Sequence, residues 1–371
     1  MPSSDSVKNA MKSSLPHGSR AAPPLPLLVT GVAGVPGYNA FHYFRRRYGA
    51  QVIGIRPRDN WPLQGPGIVG CNAEDDEAVA ALWQTYRFAS VLNATGSCRL
   101  KSCELDPDLA YRVNVEGTET IMRHASSSGA RVIHLSSDLV FAGRTAGGYR
   151  EEETPDPVTV YGQTMVAAEA LVARHHPEAT IFRISLPMGI SFNGHAGAVD
   201  WIQSRFRKGR PATLYFDEVR TPTYTSCLNR LFARCFREPL AGLFHAGGPQ
   251  RLSLYQIAQI VNRLGGYDPH LLKGCPRAAA GPMPPRAGDV SLNSDKLLAR
   301  LGTPPFFVWP QTELGRPTHR HWHLARRPRE AGSFATIYQK LYQNEADPAP
   351  VPPSREQVLA ATSGGLKTVQ P

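Results

Sequence analysis

Short apolar runs alternate with stretches of helical period over most of the first half of the chain. Residues 25–30, Leu-Pro-Leu-Leu-Val-Thr, form an apolar run that predicts a buried parallel strand. An amphipathic stretch at 36–48 follows a glycine-rich turn, then a strand at 51–55, a helix at 74–87 and a strand at 90–93. A helical segment at 108–125, a strand at 131–136, a helix at 160–175 and a strand at 180–184 continue the alternation. Strands and helices in strict turn, with short connections, predict an α/β fold: a Rossmann-type doubly wound parallel sheet.

After Pro187 the rhythm changes. Helical patterns at 198–208 and 226–237 are interspersed with and followed by short strands at 211–216 and 243–246. The stretch 253–264 then carries a serine cap and a clear helical period. The expected organisation is a leader at 1–24, a dinucleotide-binding domain at 25–189, a smaller C-terminal substrate-binding lobe at 190–303 and an extension at 304–371. The leader has no apolar segment of the kind a secretory signal needs, and reads as disordered. The extension is rich in Pro, Gly, His and Arg and is of undefined order from its composition. Residues 1–24 and 344–371 supply little to bury, so trimming either is expected to leave the two lobes folded.

Composition narrows the function. A chain of 371 residues that is 42% hydrophobic can bury a full core, and no apolar run is long enough to span a membrane. Six cysteines without a CxxC pair, in a long chain without an export signal, read as reduced thiols, and no Cys/His spacing suggests a metal site. A cytoplasmic location is the corresponding expectation. The formal net charge is +11, and 316–329 holds five Arg and three His without an acid. Because that charge sits on no recognised nucleic-acid module, neither nucleic acid nor membrane is expected as a partner.

The chemistry begins at Thr30-Gly31-Val32-Ala33-Gly34-Val35-Pro36-Gly37. Gly31, Gly34 and Gly37, between the first strand and the first helix, let a backbone approach a pyrophosphate that the helix N-terminus attracts. Arg56 and Arg58 stand where an NAD-selective site usually has an acid, which favours NADP(H) over NAD(H). Asn93, Ala94 and Gly96 close a strand where the cofactor ribose would lie, and Asn72 is within reach of the adenine.

Several segments together resemble the extended short-chain dehydrogenase/reductase superfamily, and within it the dTDP-4-dehydrorhamnose reductase family with its methionine adenosyltransferase beta-subunit branch. His134 to Gly143 (HLSSDLVFAG) is similar to the family's STDYVFDG. Tyr149-Arg150-Glu151-Glu152 through Tyr161-Gly162-Gln163-Thr164 and Glu169 is similar to YxExDxxxPxxxYGxTKxxxE. Asn114 to Thr118 matches a helix motif, Arg183-Ile184-Ser185 the RTS strand, and Pro222-Thr223-Tyr224 the PTY of the substrate lobe. Arg286 and Lys296-Leu297 fit the closing motif, with Ala287 in place of its proline. The resemblance spans about 25–301. It implies Ser137 as hydrogen-bond donor to a substrate carbonyl, Tyr161 as proton donor, Pro187 beside the carboxamide, and Thr223 and Arg286 on the substrate. A nucleotide-linked keto-sugar is the implied substrate.

One position departs from the pattern. The family's lysine, four residues after the tyrosine, is Met165 here. A thioether carries no charge and donates no hydrogen bond, so both a perturbation of the phenol and a cofactor anchor are missing. Sequence does not place Lys101, Arg205, Arg207, Lys208 or the histidines 319, 321 and 323 at the Tyr161 hydroxyl. Two expectations therefore stand side by side: an NADP-dependent reductase with impaired activity, and a non-catalytic NADP-binding regulatory subunit. A homodimer or a regulated enzyme is the corresponding partner.

Overall fold

Leu27, Leu28 and Val29 have no exposed surface, and they form the strand from which the sheet is built (Leu27–Val29, β1). The computed structural model describes residues 22–342 except 282, 313 and 326–331; the expected leader up to residue 21 and the stretch from 343 onward lie outside the described residues. Val52–Arg56 (β2), Ile68–Gly70 (β3), Ser90–Asn93 (β4), Arg131–Ser137 (β5), Thr180–Ile184 (β6) and Gly242–Ala246 (β7) complete a seven-stranded sheet ordered β7-β6-β5-β4-β1-β2-β3. Every neighbouring pair is parallel.

Alternation along β1 decides the layers. Leu27 and Val29 face one apolar cluster and Leu28 the other. Val35–Tyr48 (α1) buries Tyr38, Phe41 and Phe44 in the first cluster. Asp76–Tyr86 (α2) buries Val79 and Trp83 in the second, its N-terminus capped by Asp75, which accepts from Ala78 N at 3.0 Å. Gly117–Ser128 (α3) adds Ile121, Met122 and Ala125 to that second face. Val160–His175 (α4) is capped by Thr159, whose Oγ1 accepts from Gly162 N at 3.0 Å. Helices on both faces of a parallel sheet make this the doubly wound fold the alternation predicts.

Three local readings change. The strand Ile68–Gly70 and the helix Leu100–Leu105 were not anticipated, since each is too short for a periodic signal. The expected helix at 108–125 is interrupted: Pro107–Tyr111 runs through a π-turn at Arg112–Glu116 into α3. The strand near 243–246, expected in the smaller lobe, is instead the edge strand β7 of the main sheet, pairing along β6 from Gly242↔Thr180 to Ala246↔Ile184. Ala198–Arg207 (α5), Thr225–Arg237 (α6) and Leu254–Leu264 (α7) follow the sequence reading. Of these α6 returns to α1, with the Phe236 and Phe44 rings 5.9 Å apart.

The extension of undefined order packs against the core at its described residues between 304 and 342. Trp309, Ile337 and Leu341 are completely buried in the same cluster as β1, and Trp309 Nε1 donates to Leu341 O at 2.9 Å. Tyr342 OH bonds Asp200 and accepts from Gln203 Nε2 at 2.9 Å, both on α5. Composition concealed this because a few large aromatics, not a periodic stripe, do the burying. Trp309→Ala removes a fully buried indole and is expected to cost about 3–5 kcal/mol, read by urea denaturation. A loss under about 1 kcal/mol would mean that the segment merely rests on the lobe.

Candidate active site

The carboxyl ends of β1, β4 and β5 converge on one edge of the sheet, where doubly wound folds bind ligands. Gly31 lies at φ +62°, and a Cβ there would sit 2.0 Å from Ala94 O; one on Gly37 would sit 2.3 Å from Gly31 O. These two glycines are required by close backbone approach. Gly34 is different: its Cβ would meet nothing nearer than 3.4 Å, so no contact inside the protein demands glycine there. Gly34 is also the N-cap of α1, with no side-chain cap and no acid in the first turn. An uncapped helix start behind an open glycine turn fits a dinucleotide pyrophosphate, whose oxygens would take the first-turn N–H groups.

The other expected cofactor residues divide. Ala94 and Gly96 line the same edge, Gly96 exposed at φ +148°. Asn93 is fully buried, and its amide is committed to the interior: Oδ1 accepts from Thr30 Oγ1 at 2.8 Å, and Nδ2 lies 3.0 Å from His134 Nδ1. Arg56 binds its own loop through Nε to Leu63 O at 2.6 Å and Nη1 to Pro57 O at 2.9 Å. Arg58 is more open and pairs with Asp75 at 2.9 Å. Asn72 Oδ1 accepts from Arg58 N at 2.9 Å, and its Nδ2 donates to Glu74 at 3.2 Å. Pro187 pairs with the buried Thr223, joining the end of the sheet to the smaller lobe.

Ser137 ends β5, and Tyr161 lies in the first turn of α4, where the Thr159 cap sets it. Burial pushes the Tyr161 phenol well above its ordinary value; Cys98, Asp138 and Cys103 push the same way, and the Ser137 hydroxyl acts against them. None of the cations weighed from sequence acts on it: Arg205 is held by Pro211 O at 2.7 and 2.9 Å, and His323 is buried beside Gln259. Met165 is buried in an apolar cluster with Leu139, Val140, Phe141 and Val290, and Tyr161 packs against that cluster.

Two features of the site escaped the sequence reading. Asn114 sits in the π-turn, accepts from Ser97 N at 2.6 Å and donates to Thr164 Oγ1 at 2.8 Å, tying the loop after β4 to α4. A side chain aimed by such a turn leaves no periodic trace, although π-turns cluster at functional sites. The second is a buried ionic chain. Ser137 Oγ donates to Asp138 Oδ1 at 3.2 Å, and Arg220 bridges Asp138 at 2.7 Å and Glu218 at 3.1 Å. Arg286 reaches Glu218 Oε2 at 3.6 Å, while its guanidinium carbon lies 4.7 Å from the centre of the Tyr215 ring. A charge inside an apolar run, as at Asp138 before Leu-Val-Phe, is the signal that could have found it. Glu169 has a scaffold role, held by Arg183 at 2.7 and 2.8 Å and by Ser136 at 2.5 Å.

Two buried imidazoles make the fold acid-sensitive. Burial lowers the His134 pKa to about 4; burial and then the Arg183 charge lower that of His245 to about 3. Both are depressed below the ordinary value of about 6.5. Their neutral forms therefore stabilise the fold fully above that value, and the contribution is lost as pH falls toward the folded values. Melting temperature should drop as pH is lowered from about 6.5 to about 4, and less steeply in His134→Gln. Equal slopes would remove His134 as a cause.

Known proteins agree with this geometry. The chain is 28% identical over 238 residues to methionine adenosyltransferase 2 subunit beta of Xenopus laevis, covering 62% of this chain and 69% of that one. It is 25% identical over 246 residues to the spore coat polysaccharide biosynthesis protein SpsK of Bacillus subtilis, covering 66% and 81%. A dTDP-4-dehydrorhamnose reductase from Bacillus anthracis, solved in complex with NADP, superposes with a TM-score of 0.67 at 19% identity over 76% of this chain and 95% of that one. A Thermus thermophilus UDP-glucose 4-epimerase in complex with NAD gives 0.64 at 22% over 75% and 93%. At those identities the solved structures speak for the fold alone. Residues 26–310, most of the chain and all of the converging strand ends, match the family described as the RmlD substrate binding domain, and the chain belongs to that family.

Proposed function

We propose that the protein binds NADP(H) at the glycine turn and retains the reductase dyad Ser137–Tyr161 for a nucleotide-linked keto-sugar, with turnover weakened by Met165. The observation that carries this reading is the dyad itself: the Ser137 hydroxyl acts on the Tyr161 phenol, while Met165 packs among apolar side chains where the family has its lysine. A bound nicotinamide supplies the hydride. Tyr161 gives its phenolic proton to the substrate oxygen, and Ser137 donates a hydrogen bond that holds that oxygen in place. The raised pKa keeps the phenol protonated at neutral pH, so the donor is present. The phenolate left behind would be half-buried near Asp138, with no cation acting on it among the described residues, which makes the transfer costly. Arg286, a quarter exposed at the end of the ionic chain, would meet an anionic substrate.

The same absence of a cation favours a second reading, an NADP-binding regulatory subunit of another enzyme, in line with the relative named as a subunit of methionine adenosyltransferase. Fluorescence titration with NADPH, followed by an oxidation assay on dTDP-4-keto-sugars, separates the two. Binding with Tyr161-dependent oxidation supports the reductase. Binding without it, together with co-purification of a partner enzyme, supports the regulator. No binding of either nicotinamide cofactor overturns both.

Cofactor choice is carried by Arg58, since Arg56 is held by its own loop. Arg58→Ala should weaken NADPH binding by roughly tenfold and leave NADH nearly unchanged, because only the 2′-phosphate gains a charge-assisted bond there. Equal losses for the two cofactors would overturn that assignment.

A further inference from the structure

The smaller lobe carries a groove that the cleft does not use. It has a volume of about 810 Å³, and its lining includes Arg251, Arg316, Arg320, His319, Phe216 and Val219. Val219 and Arg220 are successive residues of one extended strand: Arg220 turns inward to Asp138, and Val219 lines the groove. Neighbours on a strand point to opposite faces. The groove therefore lies behind the strand whose other face completes the ionic chain at Ser137.

Its basic wall is built from the segment that follows the lobe. Three side chains of α7 fix the backbone of 317–320: Gln256 Nε2 donates to Pro317 O at 3.1 Å, Gln259 Nε2 to His319 O and Arg320 O at 3.1 Å each, and Tyr255 OH to Arg320 O at 2.9 Å. With the backbone pinned, the side chains of Arg316, His319 and Arg320 remain exposed. Arg320 is laid over the Phe216 ring with its guanidinium carbon 4.1 Å from the centroid, and Arg316 Nη2 donates to Arg251 O at 2.9 Å. Of the three arginines only Arg251 pairs with a carboxylate among the described residues, that of Asp289. Two preorganised guanidinium groups thus face the groove unpaired with a carboxylate among the described residues, the lining carboxylate of Asp289 being held by Arg251, in a space of small-ligand size.

We propose that this groove binds a small ligand through a diphosphate or longer phosphate chain, at a site separate from the cleft. Guanidinium forks match phosphate oxygens two at a time, and a chain of phosphates spans several arginines where a single phosphate does not. The terminal phosphates of a nucleotide and free inorganic pyrophosphate offer the same chemistry.

The test is calorimetric titration of the full chain with inorganic pyrophosphate, UDP and inorganic orthophosphate, in parallel with the double variant Arg316→Ser/Arg320→Ser. Pyrophosphate should bind more tightly than orthophosphate, weaken with added salt, and lose roughly tenfold or more in affinity in the double variant. NADPH titration should be unchanged by the substitutions. UDP binding more tightly than pyrophosphate, with the same loss, identifies a nucleotide site; equal affinities identify a site for the phosphate chain alone. Arg316→Lys/Arg320→Lys keeps the charge but loses the fork, and should give an intermediate affinity if the serine variant does not fold. Unaltered pyrophosphate binding in a folded variant places the anion elsewhere and overturns the proposal. So does failure of both pyrophosphate and UDP to bind at millimolar concentration.

Discussion

Replacing Met165 with lysine is expected to lower the pKa of Tyr161 by about 1–3 units and to raise Tyr161-dependent NADPH oxidation by roughly tenfold or more. The phenol is now raised by burial, Cys98, Asp138 and Cys103, all acting together against Ser137 alone. An ammonium one helical turn away would reverse that balance by stabilising the phenolate, and it would add a donor for the cofactor ribose. The opposing cost is local. Met165 is 3% exposed among Leu139, Val140, Phe141, Tyr149 and Val290, so a lysine must either carry its charge to the cleft or lose it. A melting temperature below that of the unmodified chain is therefore part of the expected result. Tyrosinate absorbance, NADPH affinity and oxidation rate are to be measured for both forms, each with and without Tyr161→Phe. If the lysine form folds and binds NADPH but gains no Tyr161-dependent activity on any dTDP-keto-sugar tried, the regulatory reading becomes the better one.

Arg220→Leu is expected to cost about 3–5 kcal/mol of stability, because it leaves two buried carboxylates without their shared cation. Asp138 is 2% exposed and Glu218 is 2% exposed, and Arg220 is the group that bridges them. The sign of the pH dependence identifies the mechanism. In the variant both carboxyl groups would be pushed above their unfolded values. Their contribution is then intact only below about pH 4 and is lost as pH rises through the raised folded values. Urea denaturation should show a larger deficit at about pH 8 than at about pH 5.5, and Asp138→Asn in the same chain should recover part of it. A deficit independent of pH would indicate lost packing of the arginine stem rather than an uncompensated charge.

Most of the scaffold was legible because it rests on local chemistry. The apolar run at β1, the Gly31–Gly34–Gly37 turn, the Ser253 cap and the helical period of α7 each act within a few residues, and each lies where its pattern put it. Ser137 and Tyr161 were named through motifs, and they stand at the end of β5 and in the first turn of α4. The division of roles among the cofactor residues was not legible. Arg56 and Arg58 are two residues apart and chemically identical, yet one is held by its own loop and the other pairs with Asp75.

By itself the sequence determined the alternating α/β order, the glycine turn, the hydroxyl dyad and the missing lysine, since periodicity, backbone freedom and side-chain identity are properties of short segments. Tertiary structure alone decided the rest. It sent Gly242–Ala246 to the edge of the main sheet, buried Trp309 and Leu341 of an extension whose composition left its order undefined, and joined Asp138, Arg220, Glu218 and Arg286 into one chain of charges. Those contacts link residues up to 82 positions apart, and no local pattern specifies which distant partner will neutralise a buried charge or cover an indole. That choice belongs to packing, where the cost of a bare charge or an unfilled cavity is settled by whichever segment can reach it.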